Sequence, residues 1–128
     1  MPFITHAMSD VREPEAAPED EYDLRIAKAI NKPSKKGRDM ITVTIVFADG
    51  TDAPPFYHYM LAPSDDDTED MVRMRLLEIK RFCAVFDLDP ENFDEQDMPG
   101  QTGRCYVVQE AGDDNVVRNK LKLPRLKD

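Results

Sequence analysis

The 128-residue chain has no tryptophan, two histidines, two cysteines and five glycines. Each scarcity excludes something. Five glycines leave little room for a glycine-rich phosphate loop, and none is present. His6 stands near the N-terminus and His58 alone within the body of the chain, and no Ser, Cys or Asp has a context that marks a nucleophile. Catalysis is not expected, and neither a metal nor a cofactor is implied. Cys83 and Cys105 form no close pair, so two buried thiols in a reducing compartment are expected rather than a disulfide. No apolar run approaches the roughly 18 residues of a membrane span. The opening MPFITHAMSD lacks both a basic start and a long apolar stretch, so no secretory signal is read. Without tryptophan, any stacking on bases would fall to Tyr, Phe or Arg.

What the chain has in excess is acid. The formal net charge is −9, which taken alone argues against a polyanionic partner. The charge is uneven, however. Residues 1–21 carry −5, 22–62 carry +2, 63–100 carry −8 and 101–128 carry +2. A ligand meets the local field rather than the sum. The length suits one domain with a core of its own. Residues 1–21, with Pro14, Pro18 and six acids, read as a disordered acidic arm, and residues 22–128 as the folded domain.

Five strands and one helix are predicted. Tyr22, Leu24, Ile26 and Ile30 share one parity, and Lys28 breaks the alternation in the manner of a bulge. Met40–Phe47 sets Ile41, Val43, Ile45 and Phe47 against Thr42 and Thr44, rich in the β-branched residues that a pleated surface favours. Phe56–Leu61 has aromatics on both faces. Pro63 to Asp67 reads as a helix start, with Ser64 or an Asp as cap and an Asp66/Glu69 capping box. Val72, Leu76, Ile79, Cys83 and Phe86 then form one apolar stripe, and the helix ends near Asp87. An acidic loop, Asp89–Gly100, leads to strands Gly103–Glu110 and Val116–Leu123. The order β-β-β-α-β-β is that of an OB-fold, a mostly β, five-stranded Greek-key barrel with a helix between strands three and four.

Three groups of residues could bind nucleic acid. Lys32, Lys35, Lys36 and Arg38 crowd seven positions between the first two strands, against the acidic trend of the chain. In an OB-fold that loop grips oligonucleotides, and lysines on a flexible loop can follow phosphates; the simpler reading is a solvated loop. Tyr57 and Tyr59 share one face of the third strand, opposite Phe56, His58 and Met60. One set faces the core, and the sequence leaves open which. Exposed rings there, or Tyr106, would serve as stacking platforms. Arg118, Lys120 and Lys122 alternate along the last strand, extended by Arg125 and Lys127, either as a basic ladder or as an ordinary polar face. The acids Asp65, Asp66, Asp67, Glu69 and Asp70 are contiguous. That suits a helix start better than a two-metal nuclease site, which collects carboxylates from separate elements.

Tyr22-Asp23-Leu24-Arg25-Ile26, Lys35-Lys36-Gly37-Arg38-Asp39-Met40-Ile41, Val43-x-Ile45, Asp49-Gly50 and Tyr57-x-Tyr59 together resemble the phage-encoded single-stranded DNA-binding proteins of the OB-fold type. The likeness continues through Arg75-Leu76, Phe82-Cys83, Gly100–Tyr106 and Asn115-Val116-Val117, over roughly residues 21–124. It implies a non-catalytic protein that coats single-stranded DNA, largely without sequence preference, during phage replication or recombination in the cytoplasm of an infected bacterium. It brings Lys35, Lys36, Arg38, Tyr57, Tyr59 and Arg118 near the DNA. Homo-oligomers are compatible with it. Many single-strand binders end in an acidic tail, whereas this chain ends LPRLKD and carries its acids at the other end. The arm is therefore expected to compete for the basic groove or to dock replication and recombination proteins, and removing residues 1–20 should tighten binding at low salt. The rival readings are an OB-fold protein-interaction module that uses the acidic helix region, and a metal-dependent nuclease.

Overall fold

A computed structural model describes Phe3, Thr5, Ser9 and residues 13–126. The elements are β1 (Asp20–Pro33), β2 (Asp39–Phe47), β3 (Phe56–Leu61), α1 (Glu69–Val85), β4 (Thr102–Ala111) and β5 (Val117–Lys122). All pairings are antiparallel, in the order β3-β2-β1-β4-β5. The outer strands β3 and β5 come into contact without joining the ladder, so the sheet curls into a nearly closed barrel. The architecture is OB-like, as the order of elements implies.

Alternation along each strand fills the interior. Leu24 and Ile26, Val43 and Ile45, Phe56 and Met60, Cys105 and Val107, and Leu121 all point inward and are buried. The bulge expected near Lys28 is real: the β1–β2 register slips between Ile26 and Lys28. A bulge bends and twists its strand. This one lets β1 pair with β4 over Asp20–Arg25 and with β2 as far as Pro33, so one strand serves both halves of the barrel. Both cysteines are buried free thiols, each pushed up to about 11 chiefly by burial.

The helix differs from expectation at its start. Its cap is Thr68, whose Oγ1 accepts the Met71 N–H at 3.2 Å, so neither Ser64 nor a capping box opens it. The buried stripe is also shorter than its periodicity suggests. Phe82, Cys83 and Phe86 plug the barrel, while Leu76 is half exposed. The helix lies against β3 and β4, and the helical residues it buries, Phe82 and Cys83, stand near its C-terminal end. The close approach of that end to β4 explains Gly103, since a Cβ there would run into the Val85 carbonyl.

The expected boundary at residue 22 moves. β1 begins at Asp20, opposite Val107. Ala17 is 2% exposed. Its N–H donates to Asn119 Oδ1 (2.9 Å) and its carbonyl accepts from Asn119 Nδ2 (3.0 Å) and Gln109 Nε2 (2.9 Å). A buried asparagine must have its amide satisfied, and the segment before β1 does that. Residues 17–21 therefore belong to the folded domain.

Candidate nucleic-acid interface

The register settles which face of β3 is outside. Phe56, His58 and Met60 are buried, while Tyr57 and Tyr59 are 52% and 56% exposed. Three cross-strand rows follow on the outer surface of β1, β2 and β3. Lys28, Thr44 and Tyr57 stand side by side, then Ile30, Thr42 and Tyr59, then Lys32, Met40 and Leu61. Rows two residues apart along a strand are separated by about 7 Å. The two tyrosine rings thus form consecutive steps on one open sheet face, with Lys28 and Lys32 two strands away.

Beyond the last row lies the β1–β2 turn. Ser34 N–H donates to the Arg38 carbonyl (2.7 Å), Gly37 N–H to the Ser34 carbonyl (2.8 Å), and Arg38 N–H to Ser34 Oγ (3.2 Å). Gly37 takes φ +81°, a value that favours glycine. The loop expected to be flexible is a hydrogen-bonded hairpin turn that holds Lys35 and Lys36 out to solvent. Arg38 behaves differently. Its Nη2 donates to Asp67 Oδ1 at 2.7 Å and to Ser64 Oγ at 2.9 Å.

On the other side of β3 a groove of about 640 Å³ opens between β3 and β5, lined by Tyr57, His58, Tyr59, Arg118, Asn119 and Lys120 among others. The alternating cations of β5 reach it, but not as a bare basic ladder. Arg118 is clasped by Asp114 at 2.7 and 3.1 Å, and the Arg118 guanidinium, helped by the Val116 N–H, holds Asp114 down to about 2. Lys120 pairs with Glu110 at 3.3 Å. Glu13, Glu78 and Glu110 line the same groove. Among the described residues, Lys28, Lys32, Lys35 and Lys36 form no ion pair. Unneutralised positive charge therefore gathers on the β1–β2 side, beside the tyrosines.

Tyr106 and Lys122 are placed elsewhere. They face each other on the β4–β5 hairpin, with Lys122 Nζ 5.9 Å from the Tyr106 ring centre, and neither lines the groove. Arg125 is exposed, and His6, Arg12 and Lys127 lie outside the described residues. The acidic run does not act as the helix cap. Asp65 and Asp66 are exposed, and Asp67 accepts from Arg38, Arg75 and the Ser64 N–H. Among the described residues no three metal-ligating side chains gather.

His58 lines the groove from the core side. It stacks on Phe82 with ring centres 5.0 Å apart, and its Nε2 is buried without a hydrogen-bond partner among the described residues. Burial, and secondarily the Lys120 charge, push its pKa down to about 4, so the ring is neutral at pH 7. Sequence reasoning missed Lys28 and Arg75. Lys28 was visible only as a break in the alternation, and Arg75 only in the Arg75-Leu76 pair of the likeness.

Compared with family models and with curated proteins, the chain matches none. The likeness to phage single-strand binders therefore rests on the residues themselves.

Proposed function

We propose that the outer face of β1, β2 and β3 binds single-stranded DNA, largely without sequence preference. The observation that carries this reading is the row geometry. Two exposed tyrosines stand in step on one strand, flanked by lysines without carboxylate partners, in a chain of net charge −9. Every base offers a π-face, so rings give affinity without selecting sequence. Lysines neutralise phosphates and release counterions. The resemblance to phage single-strand binders supports the same reading, with a role in replication or recombination.

The groove beside Tyr59 adds regulation. Glu13 and Pro14 line it, and the Ala17–Asn119 clasp fixes the segment just behind them. In this proposal acidic side chains ahead of β1, which share the groove with Tyr57 and Tyr59, compete with phosphate for the edge of the tyrosine face. Removing residues 1–20 is a poor test, because it also takes out Ala17 and the first residue of β1. Neutralising Glu13 and Glu15 in the full chain keeps both.

The direct experiment is fluorescence anisotropy of a labelled oligo-dT over a salt series, with matched duplex as control. Affinity should fall with salt at a slope of about 0.7 per neutralised phosphate. Duplex should bind far more weakly. Lys35→Gln with Lys36→Gln should reduce the slope by about 1.4 on the same basis. No binding at low salt would favour the interaction-module reading. For that reading the half-exposed Met71 and the 70%-exposed Met74 on α1 are the specific observation.

A further inference from the structure

A second hollow, of about 700 Å³, lies between the β1–β2 turn and the first turns of α1. Met40 and Leu61, the end of the third cross-strand row, form part of its wall, so it continues the open face without a break. Its charged lining is Lys35, Lys36, Arg38 and Arg75, with Asp66 as the exposed acid. Asp67 holds this group together from below. Its side chain is 1% exposed and accepts from Arg38 Nη2 (2.7 Å), Arg75 Nε (3.1 Å) and the Ser64 N–H (3.1 Å).

Lys35, Lys36, Arg38 and Arg75 outnumber Asp66 and Asp67, so positive charge remains in the hollow. The hydrogen-bond count gives the same result. Among the described residues Arg75 donates only through Nε, which leaves both terminal nitrogens of its fork without a partner. Arg38 donates from its side chain only through Nη2. The forks are held by a buried acceptor and lined up beside two solvent-exposed lysines. An ion pair that served only to tie the turn to the helix would need one arginine. A planar fork with two open donors is the geometry that takes phosphate oxygens in pairs.

We infer that this hollow is a phosphate-binding site in which Arg75 and Arg38 receive one phosphate group and Asp67 positions both guanidiniums for it. The inference rests on the single-stranded DNA reading for its ligand. It extends the track beyond the sheet and onto the helix. The phosphate comes either from within the strand or from its end. An internal phosphodiester carries one negative charge and a terminal phosphate more, and either has at least a pair of non-bridging oxygens to meet a guanidinium fork.

The test uses the full chain with Arg75→Gln, which leaves the Arg38–Asp67 pair intact. Arg73→Gln serves as the control, because it removes the same charge from an exposed position on the same helix. Oligo-dT binding by anisotropy should weaken about 3- to 10-fold with Arg75→Gln, and its salt slope should drop by about 0.7. Arg73→Gln should leave both unchanged. A 5′-phosphorylated oligo-dT bound more tightly than the unphosphorylated one, with the difference lost in Arg75→Gln, assigns the site to strand ends. Equal binding of the two assigns it to internal phosphates. Equal effects of the two substitutions would overturn the site while leaving the DNA reading in place. NMR titration with inorganic phosphate separates the remaining case. If wild-type protein binds no oligonucleotide, shifts at the Arg75 Nε–H and at the Lys36–Arg38 amides, with the amide shifts lost in Arg75→Gln, would keep the phosphate site and remove DNA as its source. No shifts would remove both.

Discussion

His58 ties the stability of the barrel to acid. The ring is buried on Phe82 with its Nε2 unpartnered, and its folded pKa lies near 4 against an ordinary 6.5. A depressed histidine pKa means that the unfolded chain binds the proton more readily. Stability is then fully present above about pH 6.5 and falls as the pH drops towards 4. With those two values the linkage at pH 5 amounts to about 2 kcal/mol, and at pH 7.5 it is close to zero. With a urea slope of about 2 kcal/mol per molar, the midpoint should fall by about 1 M between the two pH values on account of this group alone. Carboxylates held down in the fold, Asp67 and Asp114 among them, also respond to acid. A His58→Phe variant keeps those contributions and removes only the histidine's. Because His58 Nε2 has no partner to lose, phenylalanine can take the place against Phe82. Urea unfolding of both proteins at pH 7.5 and pH 5 should show the acid-induced drop to be smaller in the variant by about 1 M. Identical drops would refute the account of His58 as a neutral group trapped by burial.

Other consequences are open to direct measurement. Tyr57→Ala and Tyr59→Ala should each weaken oligo-dT binding by about 1–3 kcal/mol. Tyr106→Ala, on the other hairpin, should leave the anisotropy titration unchanged. Glu13→Gln with Glu15→Gln should tighten binding at low salt and converge with wild type as salt screens the charges, and equal low-salt affinities would remove the competition. Asn119→Ala strips Ala17 of two hydrogen-bond partners and should lower the unfolding free energy by about 1–3 kcal/mol in a denaturant titration.

The five strands, the helix between β3 and β4 and the bulge before Lys28 were legible because period-two alternation is imposed on every strand by the pleat. The cap was misread because Ser64, the aspartates and Thr68 all offer capping oxygens, and only the packing of α1 selects among them. Leu76 has the right spacing for a buried stripe, yet periodicity does not reveal that the fully buried positions lie only towards the helix's end. The lysine-rich turn was legible as a charge cluster. That Asp67 holds the Arg38 guanidinium in place, while Lys35 and Lys36 have no such partner among the described residues, depends on a residue 29 positions away in the chain.

By itself the sequence determined the β-rich barrel order, the buried thiols and the local concentration of base in an acidic chain. These follow from near-neighbour chemistry, namely alternation, burial preference and charge along the strand. Only the tertiary structure decided which face of β3 lies outside, that Arg118 and Lys120 carry their own carboxylates, and that Arg38 and Arg75 converge on Asp67. The outer face of β3 and the meeting of Arg38 with Asp67 depend on which distant strands and turns become neighbours, whereas Arg118 meets Asp114 and Lys120 meets Glu110 within the single β4–β5 hairpin, in contacts that need its turn and register rather than charge spacing alone.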